Sequence, residues 1–93
     1  MSAIDLPARV RVPENVVFQI LDGQAVLLDL HTERYFELDD VATRMWELLK
    51  ADGVPATTVK TLLVEYDVDE PTLSRDLAGL IQHLLQRGLI ETA

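Results

Sequence analysis

Cysteine is absent from the 93 residues, which excludes disulfide staples and thiolate chemistry. Histidine occurs only at His31 and His83, and neither has a carboxylate or cysteine at ligand spacing. A metal centre needs three or four convergent ligands, so none is expected. Bases are scarce: 8 stand against 16 acids, for a net charge of −8. Asp5 and Glu14 balance Arg9 and Arg11, so the surplus lies beyond residue 15. Without a basic stripe the chain cannot release counterions from phosphates, and its charge repels DNA and anionic lipid alike. No stretch approaches the roughly 20 apolar residues of a membrane span. Met1 to Arg11 has no apolar run of signal-peptide length, and the chain reads as cytosolic. Glycine-rich phosphate loops and Ser/His/Asp arrangements are also missing. These absences point away from catalysis and imply no cofactor.

What is present is a folding pattern. Hydrophobic residues make up 48% of the chain, enough for one modest core. Residues 1–15 read as an irregular arm and 16–91 as the domain. Val16 to Leu21 and Gln24 to Leu30 are β-rich runs split by Asp22-Gly23. Asp-Gly between apolar runs predicts a two-residue hairpin turn, because both central positions need positive φ. The pairs would be Leu21 with Gln24, Ile20 with Ala25 and Phe18 with Leu27. After His31-Thr32-Glu33-Arg34, the segment Tyr35 to Leu38 reads as a third strand. A four-residue connector there would set Leu30 opposite Tyr35 and Leu27 opposite Leu38. Phe18, Leu27 and Leu38 would then share the buried face.

Three helices follow. Asp39 caps the first, whose face carries Val41, Met45, Leu48 and Leu49, with Trp46 beside them in the core. Gly53 ends it. Pro55 opens the second, faced by Val59, Leu62, Leu63 and Tyr66. Asp69 caps the third, which carries Leu73, Leu77, Leu80, Ile81, Leu84 and Leu85 until Gly88 stops it. Leu89 and Ile90 pack back as a tail. Helix capping also accounts for the paired acids at Asp39-Asp40 and for Asp67-Val68-Asp69-Glu70, which lacks the glycine and distal glutamate of a calcium loop. Strands grouped before helices make an α+β domain, with a three-stranded antiparallel sheet followed by three helices.

The sheet is the unusual feature. The outer strands of a three-stranded meander each keep an unpaired edge. The third strand, with Tyr35 and Phe36 flanked by Arg34 and Glu37, could accept an extended peptide. The doubled leucines and isoleucine of the last helix could line the core on one side and a groove on the other. A second copy pairing at the same edge, or a winged-helix DNA contact, are the alternatives. The charge opposes the latter.

The run Ala25 to Leu49, AVLLDLHTERYFELDDVATRMWELL, and the ending with Asp76, Leu80, Leu84 and Arg87-Gly88-Leu89-Ile90 resemble the PqqD-like family. Such domains recognise precursor peptides of ribosomally made, post-translationally modified products. The resemblance implies a winged-helix-like fold that binds the precursor's leader as an added strand. It implies presentation to a modifying enzyme, such as a radical SAM enzyme or a leader peptidase. Carried over, the strand is Arg34, Tyr35, Phe36, Glu37 and Leu38, and the helix wall is Arg75, Asp76, Gly79, Gln82 and His83. Glu33 stands where a glycine is common and Asp39 where asparagine is common. The hairpin departs from the pyrroloquinoline quinone proteins and looks closer to members found beside lasso-peptide and orphan clusters.

Overall fold

Asp22 and Gly23 both adopt positive φ, 54° and 80°, and close the first hairpin as a two-residue turn. It joins β2 (Val16–Leu21) to β3 (Gln24–Asp29) with Leu21 opposite Gln24, Ile20 opposite Ala25 and Phe18 opposite Leu27, as the sequence predicts. β4 (Arg34–Glu37) pairs antiparallel with β3, giving the sheet order β2-β3-β4. The computed structural model describes residues 6–93.

The second register differs from the expected one. Leu27 lies opposite Phe36 and Leu28 opposite Tyr35, so the connector is residues 30–33, not 31–34. The cause is Asp29. Its buried carboxylate accepts the Asn15 side-chain amide at 2.8 Å and the His31 N–H at 2.9 Å. The Asn15 amide first, and then the His31 N–H, hold the Asp29 carboxyl below the usual carboxylate range. The turn therefore begins at Leu30, and Glu33 closes it at φ 61° with its N–H on the Asp29 carbonyl, 2.7 Å. The slip is two residues, and side chains alternate with period two, so the faces are unchanged. Leu27 and Leu38 are buried, with Phe18 half-buried beside them.

The helices are α1 (Asp40–Asp52), α2 (Pro55–Glu65) and α3 (Glu70–Gln86). Asp39 caps α1 by accepting the Ala42 N–H at 2.8 Å. Asp69 caps α3 by accepting the Thr72 N–H at 3.1 Å. Gly53 ends α1 in the left-handed region, and Gly88 takes φ 71° just beyond α3. Trp46, Leu27, Leu62, Leu77, Ile81 and Leu84 are fully buried at the centre. Burying an aliphatic side chain of this size contributes about 1.5–3 kcal/mol. Tyr66 departs from the predicted face of α2, since it ends the helix and is exposed.

The segment read as an irregular arm is partly built into the domain. β1 (Val10–Arg11) pairs antiparallel with β5 (Glu91–Thr92), and Arg11 and Glu91 form an ion pair. The Val10 N–H donates to the Gly53 carbonyl at 2.8 Å, and its side chain is in the core. Residues 1–5 of the predicted arm lie outside the described residues.

Candidate functional site: an open strand edge beside a cleft

One hydroxyl joins the sheet to the helices. The Leu38 N–H donates to the Ala25 carbonyl at 2.8 Å. The other half of that rung is bridged, because the Ala25 N–H donates to Thr43 Oγ1 at 2.7 Å and that hydroxyl donates to the Leu38 carbonyl at 3.4 Å. Thr43, buried on α1, thus ends β4 and starts the first helix in the same place.

This rung assigns the direction of every backbone group on β4. Paired residues of an antiparallel ladder alternate between hydrogen-bonded and non-hydrogen-bonded. Leu38 points its groups inward to β3, and by alternation so do Phe36 and Arg34. Tyr35 and Glu37 therefore point their N–H and C=O groups outward to the open edge. The first hairpin agrees: its two-residue turn makes Leu21–Gln24 a hydrogen-bonded pair, which turns Gln24, Val26 and Leu28 toward β2 and leaves Ala25, Leu27 and Asp29 for β4.

A cleft of about 560 Å³ runs beside this edge. Arg34, Tyr35 and Phe36 line it from the strand, and Asp29 and Thr32 from the turn. Gln86, Arg87 and Leu89 close it from the end of α3. Phe36 is half-buried, and the Arg87 guanidinium lies over its ring at 4.8 Å from the centroid. Such contacts are worth about 0.5–1 kcal/mol when exposed. The opposite face of the sheet is also apolar. Val17, Leu28 and Tyr35 form one row across the three strands, with Val17 and Tyr35 exposed and Leu28 partly so.

The residues expected at the site fall into three groups. Arg34, Tyr35 and Phe36 line the cleft, and Glu37 is exposed on the open edge. Leu38 is buried and its N–H is used by Ala25, so it belongs to the core. Arg75, Asp76, Gly79, Gln82 and His83 are exposed on α3. Helical spacing sorts these five into two stripes. Arg75, Gly79 and Gln82 run to Gln86, while Asp76 and His83 run to Arg87. Gln86, Arg87 and Leu89 were not anticipated as cleft residues. The Arg-Gly-Leu-Ile ending was visible in the sequence, but nothing local shows that it returns to β4. Among the described residues no group of three His, Cys, Asp or Glu side chains is placed to hold a metal ion. No helix among them is long and apolar enough to cross a membrane.

The family model for coenzyme PQQ synthesis protein D (PqqD) matches residues 24–90, from the start of β3 to the tail behind α3. The chain belongs to the PqqD family. Two solved structures resemble this PqqD-family chain closely. One is TbiB1 in complex with the TbiA(beta) leader peptide, 37% identical, with a TM-score of 0.84 over 89% of this chain and 96% of that one. The other is lasso peptide synthetase B1 complexed with the leader peptide, 29% identical, with a TM-score of 0.81 over 89% and 98%. A search of curated proteins finds no match.

Proposed function

We propose that this PqqD-family chain is a non-catalytic chaperone that binds the leader of a precursor peptide as a fourth strand on β4. The observation that carries the reading is the open edge of β4 beside a cleft floored by Phe36. Tyr35 and Glu37 supply two N–H and two C=O groups to an incoming strand. Its alternate side chains then enter the cleft, where Phe36, Arg87 and Leu89 meet them. The exposed stripes of α3 that hold Arg75, Asp76, Gly79, Gln82 and His83 form the wall beyond. Both structural relatives hold a leader peptide, which supports the same ligand class here.

The partner on the other side is a modifying enzyme, a radical SAM enzyme or a leader peptidase, and the complex works in the cytoplasm. The apolar row Val17–Leu28–Tyr35 remains free once the edge is filled, and it adjoins the edge through Tyr35. It is the surface we assign to that enzyme. We take residues 16–91 as the peptide-binding unit, with β1 of the preceding arm clasping its base.

Amide hydrogen exchange tests the binding mode. The probe is the TbiA(beta) leader peptide, the ligand of the 37%-identical TbiB1. The Tyr35 and Glu37 amides, open in the free protein, should slow markedly on binding. Binding without slower exchange at either amide would refute strand addition at β4.

A further inference from the structure

The cleft beside β4 is basic on a chain that is otherwise acidic. Only 8 bases face 16 acids in the whole sequence, yet two of them, Arg34 and Arg87, line this one cleft. Of the other four arginines, Arg11 pairs with Glu91 and Arg44 with Glu47 and Glu65, while Arg9 and Arg75 stand apart from the cleft without an ion pair among the described residues. Among the described residues neither Arg34 nor Arg87 has a carboxylate within ion-pair distance. Asp29 lines the same cleft and lies directly opposite Arg34 in the ladder. Its Oδ1 serves the turn, accepting the Asn15 amide and the His31 N–H, and it forms no ion pair with Arg34. The Arg87 guanidinium lies over Phe36 with its Cζ 4.8 Å from the ring centroid. A guanidinium carries five N–H donors, and a contact with a ring leaves donors free for a planar oxyanion.

Strand geometry then sets a spacing. Arg34 and Phe36 share the cleft-facing side of β4, about 7 Å apart along the strand. On an added strand, the side chains that meet them are also two residues apart. We infer that the cleft selects an extended peptide with an aspartate or glutamate two residues from an apolar side chain. The apolar residue packs over Phe36 and Leu89, and the carboxylate meets the N–H donors of Arg34 and Arg87. This rests on the peptide-binding reading and names the ligand chemistry within it. A polyanion such as nucleic acid is disfavoured by the chain's net charge of −8, whereas a single carboxylate inside the cleft feels the two arginines first.

The test uses a displayed library of random 12-residue peptides selected on the full chain. Selections run in parallel on the double variant Arg34→Gln/Arg87→Gln and on Arg34→Lys/Arg87→Lys. Both positions are exposed, and thermal melts confirm that each variant folds. Wild-type binders should show Asp or Glu enriched two positions from an enriched apolar residue. The Gln variant should lose the acidic enrichment and keep the apolar one, while the Lys variant keeps both. Changing the acid of the best binder to its amide should weaken wild-type binding ~10-fold or more, the size of one charge-assisted hydrogen bond, and leave binding to the Gln variant unchanged. Binders without acidic enrichment, or an amide change that weakens both proteins equally, would overturn the inference and leave peptide binding standing. Recovery of no binders from any selection would overturn the peptide reading itself, and the inference with it.

Discussion

Proline placed along β4 separates binding from folding by parity. Proline fixes φ near −65°, which an edge strand tolerates, and deletes one N–H. At Phe36 the lost N–H is one that points to β3, across from Leu27. The loss leaves the buried Leu27 carbonyl short of its partner at about 1–3 kcal/mol, and removes the ring under Arg87 for about 0.5–1 kcal/mol more. The sum is about 2–4 kcal/mol, against a total stability of about 5–15 kcal/mol for a domain. In a chain of this size, each kcal/mol moves the melting temperature by about 4–8 °C. Phe36→Pro should therefore melt roughly 10–30 °C lower. At Tyr35 and Glu37 the lost N–H faces the open edge, so the ladder is intact and the melt should move by no more than a few degrees. The same variants should weaken capture of a leader peptide ~10-fold or more, since each removes a donor and sets a ring against the incoming strand. Tyr35→Thr keeps the N–H and controls for the side chain. Thermal melts and calorimetric titration of the four variants decide the matter. If Tyr35→Pro unfolds the domain while Phe36→Pro spares it, the assigned parity is wrong. If both outward prolines bind peptide as wild type does, the edge is not the site.

Three further outcomes follow from the supports of this edge. Thr43→Val keeps the shape of α1 but leaves the buried Ala25 N–H unpaired, and chemical denaturation should show a loss of about 1–3 kcal/mol. Glu33→Gly relieves a left-handed conformation that costs a non-glycine residue about 1–2 kcal/mol, so its melting temperature should rise rather than fall. Asp29, Glu65 and Asp69 all have carboxyls held below the usual range, by the Asn15 amide, the Arg44 guanidinium and the Thr72 N–H respectively. A folded-state value below the unfolded one gives stability that is present above the ordinary carboxylate range and is lost as pH falls through it. Melts between pH 7 and pH 3 should fall steadily below about pH 4. Asn15→Ala, which removes the largest cause at Asp29, should shrink that fall.

How much was legible depended on whether the deciding contact was local. Asp22-Gly23 announced its own turn, and the caps at Asp39 and Asp69 announced their helices, because each works within three residues of itself. The second connector hid its register. Glu33 is not a glycine, so its own chemistry did not mark the position of positive φ; only the resemblance, in which a glycine is common there, pointed to it. The residue that holds the turn, Asp29, is itself held by Asn15, which is 14 positions away. The faces survived the error because it was an even one. β1 and β5 are two residues each and pair across the whole chain, below any periodic signal. The strand wall of the candidate cleft was legible because Arg34 to Phe36 is one run. The helix half was not, because Arg87 meets Phe36 only after three helices have folded back on the sheet.

An open edge invites self-pairing, and the same parity limits how far that can go. Two copies of β4 joined about a two-fold axis must match outward residues with outward residues. The register centred on Phe36 sets Tyr35 opposite Glu37 of the second copy and makes four hydrogen bonds. Pairing Arg34 with Glu37, the charge-matched choice, is forbidden because Arg34 points inward. Four hydrogen bonds at about 1 kcal/mol net give roughly 4 kcal/mol, a millimolar dissociation constant before any cost of association. Two chains of charge −8 repel one another further. Sedimentation at ~100 µM should therefore show a monomer, well under the millimolar scale of four bare hydrogen bonds. A leader strand makes the same four hydrogen bonds, so any tighter affinity must come from side chains in the cleft, on Phe36, Arg87 and Leu89. Arg87→Ala should then weaken peptide capture and leave the monomer unchanged. A micromolar dimer that Tyr35→Pro abolishes would show that the bare edge is stronger than four hydrogen bonds allow, and would move the source of affinity from the cleft back to the strand.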